Sequence, residues 1–193
     1  MLASSPITIV SGLPRSGTSM MMRMLEAGGM MPFMDGQRAA DEDNPRGYYE
    51  LEAVKTLAQD NTWVSAAQGQ ALKVISFLLN QLPPDQQYRV IFMRRALPEV
   101  LASQRQMLKR RGTEAQGGDD ARMQQLFERH LDQVTSWMME QSNMMVLFVD
   151  YARAVREPAS VAQEVVAFLG QPLQAGGMTA AVERELYRQR KES

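Results

Sequence analysis

The sequence of 193 residues contains no cysteine and a single histidine. The absence of cysteine excludes disulfides, zinc–thiolate sites and a thiol nucleophile. The histidine, His130, lies on the apolar face of a predicted amphipathic helix. We therefore interpret it as a packed, hydrogen-bonded side chain rather than as a general base.

The sequence also lacks an excess of charge of either sign and any long apolar run. It has 21 Lys and Arg against 22 Asp and Glu, a net charge of −1, which argues against nonspecific binding to nucleic acid or to an anionic membrane. No apolar stretch approaches the roughly 20 residues that span a bilayer, and the first residues do not form a signal-peptide pattern. We therefore expect a soluble, cytoplasmic protein with no nucleic-acid or membrane partner. Nothing in the sequence indicates an oligomeric state.

What the chain does contain is an alternation of strand and helix patterns. With 45% hydrophobic residues, a chain of this length can bury one core, which predicts a single domain over residues 1–193. The predicted strands cover residues 7–11, 71–75, 88–93 and 144–149, and the predicted helices cover 18–27, 49–60, 98–109, 123–138 and 158–170. This alternation predicts an α/β fold with a mostly parallel central sheet and helices on both faces. Residues 30–47 and 112–120 are predicted to be long surface loops.

The most specific motif connects the first predicted strand to the first predicted helix. Residues 12–19 read Gly-Leu-Pro-Arg-Ser-Gly-Thr-Ser, which copies the Walker A spacing G-x-x-x-x-G-K-[ST] with Thr18 in the lysine position. Glycines permit a tight turn that directs backbone N–H groups inward, and the N-terminus of the next helix adds partial positive charge. The motif therefore predicts a site for a tetrahedral anion. An ordinary ATPase is disfavoured, because its loop lysine is missing and the cation within this loop is Arg15.

The same loop resembles the 5′-phosphosulfate-binding loop of the sulfotransferase superfamily, usually written P-[KR]-[SG]-G-T-[TS]. It is closest to the arginine form seen in tyrosylprotein sulfotransferases and in many bacterial sulfotransferases. The resemblance implies a P-loop NTPase-like three-layer fold and the donor 3′-phosphoadenosine 5′-phosphosulfate (PAPS), with 3′,5′-ADP as the product and no metal. The residues that would hold the 5′-phosphosulfate of this donor are Pro14, Arg15, Ser16, Gly17, Thr18 and Ser19.

A second match follows the strand predicted over residues 88–93. In the family this strand ends in an arginine, and a serine eight positions later joins it in binding the 3′-phosphate of the donor. Arg95 and Ser103 fit that spacing. The chemistry agrees, since ligands bind at the carboxyl ends of parallel strands and arginine makes forked contacts with phosphate. A late segment from Leu147 to Gly170, which ends in Phe-Leu-Gly, resembles a scaffold signature of the family.

The general base is the point at which this chain departs from the cytosolic sulfotransferases. Their base is a histidine two residues after a lysine, whereas the corresponding stretch here is Lys73-Val74-Ile75. Lys73 remains a candidate for contact with the transferring group. Residues 44–50 resemble the N-P-[KR]-G-Y-[FY]-E segment of bacterial members, which makes Glu50 the candidate base. Three other carboxylates compete with it: Asp41, Glu42 and Glu52.

The resemblance thus implies in-line, metal-independent transfer of a sulfuryl group to a hydroxyl or amine of a small-molecule or glycan acceptor. Arg15, with Lys73, is expected to stabilise charge on the leaving oxygen, while Glu50 removes the acceptor proton. Two alternatives stay open: a small-molecule P-loop kinase with Asp150 as magnesium ligand, and a non-catalytic nucleotide-binding relative that has lost its base. Four late basic residues are interpreted as a charged helix face rather than as donor ligands: Arg184, Arg188, Arg190 and Lys191.

Overall fold

A computed structural model of the chain describes residues 5–37, 47–110, 112 and 120–183. The strands in these residues are β1 (Ile7–Gly12), β2 (Ala71–Lys73), β3 (Tyr88–Arg94) and β4 (Met144–Asp150). The α-helices are α1 (Thr18–Ala27), α2 (Leu97–Arg110), α3 (Asp120–Glu140), α4 (Tyr151–Arg156), α5 (Pro158–Leu169) and α6 (Ala175–Ala180). Short 3₁₀ helices cover Glu52–Thr56, Thr62–Ala67 and Ser76–Gln81.

The four strands form one parallel sheet in the order β2-β1-β3-β4. The chain therefore leaves β1 toward one side of the sheet to form β2 and then crosses to the other side of β1 to form β3. Such a reversal opens a crevice between the carboxyl ends of the two strands that flank it, here β1 and β3, and ligands of open α/β sheets bind there. The register pairs Gly12 with Met93 and Val10 with Lys73, so the ends of β1, β2 and β3 lie at one edge.

Helices cover both faces of the sheet, so the predicted three-layer α/β architecture is confirmed. One face packs against α1, α4, α5 and α6, and the other packs against α3 and the three 3₁₀ helices. Alternate strand residues point to opposite faces, as the pleat requires. The first face receives Val10, Ile91, Met93 and Val149, and the second receives Ile7, Ile9, Val90 and Phe92. Helix α2 packs beside the end of β1, where Val100 and Leu101 contact Leu13 and Phe127.

Most predicted elements are confirmed, but the helix predicted over residues 49–60 is wrong. Gly47 and Tyr49 have φ angles of 90° and 53°, which a right-handed helix excludes. Leu51 is extended, and helical geometry is confined to the 3₁₀ turn Glu52–Thr56. The amide of Glu52 donates to Asp35 at 2.7 Å, which ties this segment to the preceding loop. Tertiary contacts therefore override the local helical pattern here.

Two helices were not predicted from the sequence, α4 and α6. Helix α4 follows β4 without a loop, and the Asp150 carboxylate caps it by accepting from the Arg153 amide at 2.7 Å. An aspartate at that position is a known N-cap signal. The predicted loops over 30–47 and 112–120 lie in large part outside the described residues. None of the helices in the described part of the chain has the length and apolar composition needed to cross a membrane.

Candidate active site

The loop at residues 12–19, here called the anion loop, joins β1 to α1 at the β1/β3 crevice. Arg15 and Gly17 both have left-handed backbones, with φ angles of 74° and 99°. Left-handed residues within a tight turn direct neighbouring N–H groups into one concavity that suits an anion. Gly17 caps α1 without a side-chain acceptor, and the first turn of α1 holds no acidic residue. The first N–H groups of this helix, which have no partner within it, therefore face the loop's concavity.

Two features characterise the surroundings of the anion loop: a buried hydroxyl without a partner and a close contact with β3. The Ser16 hydroxyl is buried and has no hydrogen-bond partner among the described residues, and a buried polar atom without a partner is costly. A Cβ on Gly12 would lie 2.5 Å from Ser16 Oγ and 2.6 Å from Met93 O, so only glycine fits between the loop and β3. The loop's donors suit the oxygens of a phosphate or sulfate group.

Gly17 is held against the Tyr151 ring, which leads to a first prediction. A Cβ at Gly17 would lie 2.3 Å from Tyr151 Cδ2, so Gly17→Ala must displace the ring or the loop. We expect the free energy of unfolding to fall by about 1–3 kcal/mol from overpacking alone, and anion binding to weaken. Urea denaturation measures the first effect and titration with 3′,5′-ADP measures the second.

A matched control for this substitution is available in the same chain. Gly29 has a φ of 100°, almost equal to the 99° of Gly17, but nothing lies within 4 Å of a Cβ placed there. Gly29→Ala therefore carries the backbone strain without the clash. An equal loss of stability in both variants would show that contact with Tyr151 contributes nothing.

Arg95, just beyond β3, reaches across the crevice to the anion loop. Its Nη1 donates to the carbonyl oxygen of Arg15 at 3.1 Å, and its Nε donates to Glu99 Oε2 at 3.0 Å. The side chains of Arg95 and Glu99 are each 8% exposed. The guanidinium also lies 4.5 Å from the centroid of the Tyr151 ring. The second motif thus meets the first directly, and a buried ion pair fixes the arginine in place.

Arg15 and Ser103 lie on the same side of the crevice. Arg15 Nε donates to Ser103 Oγ at 3.0 Å, and Ser103, on α2, is buried. Three polar groups from two separate segments of chain therefore converge near the β3 end: the side chains of Arg15, Arg95 and Ser103. A cluster with two guanidinium groups and a hydroxyl is suited to a phosphate.

Lys73 and Glu50 come together on the other side of the anion loop. Lys73 Nζ lies 2.8 Å from the carbonyl oxygen of Tyr48, 3.3 Å from Ser19 Oγ and 3.5 Å from Glu50 Oε1. The Lys73 side chain is 8% exposed, and that of Glu50 is 30% exposed. A buried ammonium thus meets a partly exposed carboxylate beside the first turn of α1. Such a pair can stabilise a developing anion and accept a proton.

A cavity of about 520 Å³ opens beside the anion loop on the α3 face of the sheet. Its wall contains the unpartnered Ser16, the guanidinium-bearing Arg94 and Arg95, and a polar strip of α3. Arg94 also lies over the Phe148 ring, with Cζ 3.8 Å from the ring centroid. The remaining residues of the lining are Leu13, Met93, Leu131, Asp132, Thr135 and Ser136. This cavity therefore offers room for a ligand beside Ser16 and Arg95.

The other candidates from the sequence lie elsewhere. The Glu52 carboxylate is exposed and binds Lys55 at 2.7 Å, away from Lys73. The Asp150 carboxylate caps α4, and the described residues hold no group of three or more potential metal ligands. Two competing carboxylates and the late basic residues fall outside the described part of the chain: Asp41, Glu42, Arg184, Arg188, Arg190 and Lys191.

His130 is packed and hydrogen-bonded, as the sequence predicted. Its Nε2 lies 2.9 Å from Ser76 Oγ, and its ring stacks on Phe77 with centroids 3.8 Å apart. Burial lowers the pKa of His130 below its usual value of 6.5. The folded protein therefore holds this imidazole neutral at pH 7.

The lowered pKa of His130 predicts a pH dependence of stability. Between that pKa and 6.5 the unfolded chain binds a proton that the folded chain does not, so His130 lowers the free energy of unfolding as the pH falls below about 6.5. In His130→Asn this contribution is absent. Urea denaturation at pH 7.5, 6.5 and 5.5 should show the stability gap between the two proteins narrowing as the pH falls. A gap that is constant with pH would contradict the prediction.

Comparison with known proteins agrees with this geometry. A family model described as the sulfotransferase domain matches residues 5–193. The chain belongs to the sulfotransferase family. A comparison of the sequence with curated proteins gives no significant match.

Two solved structures of similar fold are sulfotransferase domains, and a third is a retinol dehydratase. The sulfotransferase domain from the curacin biosynthetic pathway is 14% identical with a TM-score of 0.55, and the match covers 93% of this chain and 78% of that one. The sulfotransferase domain from the Synechococcus PCC 7002 olefin synthase is 15% identical with a TM-score of 0.53, covering 97% and 82%. Retinol dehydratase, in complex with androsterone and the inactive cofactor PAP, is 16% identical with a TM-score of 0.50, covering 94% and 64%. At these identities the likeness shows the fold, which is P-loop NTPase-like.

Three residues of this candidate site were not predicted from the sequence. Glu99 neutralises Arg95, and the i, i+4 spacing of the two residues was the available signal. Tyr151 packs against both Gly17 and Arg95, and burial raises the pKa of its hydroxyl although Arg95 partly opposes that effect. Tyr48 contributes its backbone carbonyl to Lys73, which no sequence pattern could indicate.

Proposed function

We propose that this sulfotransferase uses PAPS and transfers its sulfuryl group to a hydroxyl or amine of an acceptor. The observation that carries the proposal is the contact between the two donor motifs. Arg95 donates to the backbone of Arg15 although the two residues are 80 positions apart, and Arg15 donates to Ser103. A donor with phosphate groups at its 5′ and 3′ positions needs an anion site and a second phosphate site close together in one crevice. The cluster near β3 is well suited to the 3′-phosphate.

The proposed roles follow from position. Backbone N–H groups of residues 15–19 hold the 5′-phosphosulfate, and Arg95 and Ser103 hold the 3′-phosphate. Lys73 stabilises negative charge on the leaving oxygen. The Arg15 side chain, which donates to Ser103, lies instead with the cluster for the 3′-phosphate. Glu50 accepts the proton of the acceptor nucleophile.

The proposed reaction is an in-line displacement at sulfur. The acceptor oxygen or nitrogen forms a bond to sulfur while the bond between sulfur and the bridging phosphate oxygen breaks. The acceptor proton passes to the Glu50 carboxylate, and the products are a sulfated acceptor and 3′,5′-ADP. The preorganised N–H groups and Lys73 require no rearrangement as charge develops, which is how such sites stabilise a transition state.

The two rival hypotheses have less support from the site. A kinase would place a cation at the Walker lysine position, and Thr18 stands there. The carboxylate considered for magnesium, that of Asp150, caps a helix instead. A non-catalytic relative would need no proton acceptor at the site, whereas Glu50, 3.5 Å from Lys73 and 30% exposed, supplies one.

Calorimetric titration tests the donor. We expect 3′,5′-ADP to bind without magnesium, and to bind at least roughly tenfold more tightly than 5′-AMP because the 3′-phosphate gains charge-assisted hydrogen bonds. Binding of ATP that depends on magnesium, with no binding of 3′,5′-ADP, would support a kinase. Transfer from PAPS to a panel of phenol, sugar and amine acceptors then tests catalysis. Binding of 3′,5′-ADP without transfer to any acceptor would favour a non-catalytic protein.

A further inference from the structure

Tyr49 has an unusual backbone for a large side chain. Its φ is 53°, in the left-handed region, and among the described residues it shares this property only with Arg15 outside the glycines. A non-glycine residue with such a backbone is strained, and it persists only where its surroundings hold it. The backbone of Arg15 is explained by the tight turn of the anion loop, but Tyr49 lies outside that loop and must be held by other contacts.

A hydrogen bond from the Tyr49 side chain to α1 holds this left-handed backbone in place. Tyr49 Oη donates to Glu26 Oε2 at 2.5 Å, and the ring packs against the apolar cluster of the α1 face. Burial, together with the hydrogen bond to Glu26 and its charge, raises the pKa of Tyr49 well above its usual value of 10. The hydroxyl is therefore protonated at neutral pH and remains a donor.

The residues on either side of Tyr49 both contact Lys73. The carbonyl oxygen of Tyr48 accepts from Lys73 Nζ at 2.8 Å, and the Glu50 carboxylate lies 3.5 Å from the same nitrogen. Ser19 Oγ also donates to the Tyr48 carbonyl, at 3.5 Å. The bend at Tyr49 thus lets the residues on both sides of it, Tyr48 and Glu50, reach the Lys73 ammonium. The Tyr49 side chain meanwhile points to α1. A relaxed φ at residue 49 would rotate Glu50 relative to the Tyr48 carbonyl.

We propose that Tyr49 is a positioning residue, whose bond to Glu26 holds the bend that presents Glu50 and the Tyr48 carbonyl to Lys73. The inference rests on the proposed function in one respect, since it acts through the roles given there to Glu50 and Lys73. It adds a residue and a contact, Tyr49–Glu26, that lie outside the donor motifs. The Tyr49 hydroxyl bonds to Glu26 on α1 and not to Lys73 or Glu50, so its proposed role is indirect.

Removal of the Tyr49 hydroxyl tests the proposal by kinetics. We expect Tyr49→Phe to lower kcat by roughly 10–100-fold, the scale seen when a catalytic group is misplaced. The KM for PAPS and the affinity for 3′,5′-ADP should stay within about twofold, because the donor-binding groups are untouched. Glu26→Ala should reproduce this loss, whereas Glu26→Gln, which keeps an acceptor oxygen, should restore most of kcat.

A double-mutant cycle separates positioning from simple destabilisation. If Tyr49 acts through Glu50, Tyr49→Phe should lower kcat little further in a Glu50→Gln background, while its effect on the melting temperature should persist. Additive effects on kcat would overturn the proposal.

A labelling experiment tests the same bond without any activity. Lys73 is 8% exposed and Lys55 is 65% exposed, so acylation of Lys73 relative to Lys55, followed by mass spectrometry, reports on the cluster. We expect the Lys73 to Lys55 labelling ratio to rise several-fold in Tyr49→Phe, with Glu26→Gln close to wild type. Tyr88→Phe is the matched control, since Tyr88 Oη donates to the Pro83 carbonyl at 2.8 Å at the opposite end of the sheet. It should lower stability and change neither kcat nor labelling.

The outcomes distinguish the inference from the proposed function. If Tyr49→Phe behaves like Tyr88→Phe, with lower stability but unchanged kcat and Lys73 labelling, Tyr49 is only structural and the inference is wrong. If wild type transfers no sulfuryl group but Lys73 labelling rises in Tyr49→Phe, the proposed function fails while the contact holds the cluster as inferred.

Discussion

Glu50→Gln is expected to lower kcat by about 10²–10⁴-fold, because glutamine cannot accept the proton of the acceptor nucleophile. The substitution conserves shape, and the amide oxygen can still accept from Lys73, but it removes the negative charge beside a buried ammonium. Urea denaturation therefore accompanies the kinetics, so that a loss of stability is separated from the loss of kcat. The affinity for 3′,5′-ADP should stay within about twofold, since Glu50 lies on the Lys73 side of the anion loop and not at the Arg95 side. Steady-state kinetics with PAPS and calorimetry with 3′,5′-ADP measure the two effects.

The comparison variant for this test is Glu52→Gln. Glu52 is two residues away, but its carboxylate is exposed and bound to Lys55. We therefore expect its replacement to leave kcat near the wild-type value. A large loss in Glu52→Gln together with an active Glu50→Gln would show that the base was assigned to the wrong carboxylate.

Arg95→Gln is expected to cost both stability and donor affinity. It leaves the Glu99 carboxylate, 8% exposed, without its buried cation, and breaking such a pair from one side typically costs about 3–5 kcal/mol. It also removes the bond to the Arg15 carbonyl that ties the anion loop to β3. Urea denaturation measures the stability, and titrations with 3′,5′-ADP and 5′-AMP measure the affinity.

A second substitution separates these two effects. In Arg95→Gln/Glu99→Gln the buried charge is gone and the two amides can pair, so much of the lost stability should return. The preference for 3′,5′-ADP over 5′-AMP should not return, because no cation replaces Arg95 at the 3′-phosphate. Recovery of that preference in the double variant would mean that Arg95 does not bind this phosphate and only supports the fold.

The parts of the fold that were predicted correctly are those in which local pattern and tertiary structure agree. The β-branched run at residues 7–11 is buried on both faces in β1, as such runs in parallel sheets are. Helix α1 begins at Thr18 and ends at Ala27 as predicted, because glycines bracket it on both sides. The prediction failed at residues 49–60, where the left-handed backbone of Tyr49 and the bond from the Glu52 amide to Asp35 impose a bent loop.

In the candidate site, too, the features encoded by local sequence were predicted and those that depend on tertiary contacts were not. The spacing of residues 12–19 was sufficient to predict the anion loop, because glycine positions and a helix start are local properties of the chain. The packing of Tyr151 on Gly17 and the contact of Lys73 with Glu50 both depend on segments distant in sequence. No local pattern encodes those distances.

By itself, then, the sequence determined the strands, most helices and the anion loop, since burial periodicity and turn chemistry act over a few residues. The tertiary structure alone decided which side chains meet at the crevice. The crossing of the chain from β2 over β1 to β3 brings Lys73 to one side of the loop and Arg95 to the other. The strained bend at Tyr49, held from α1, then brings Glu50 to Lys73. Strand order and a backbone held by distant contacts are properties of the packed molecule, because each results from the burial of surfaces far apart in the chain.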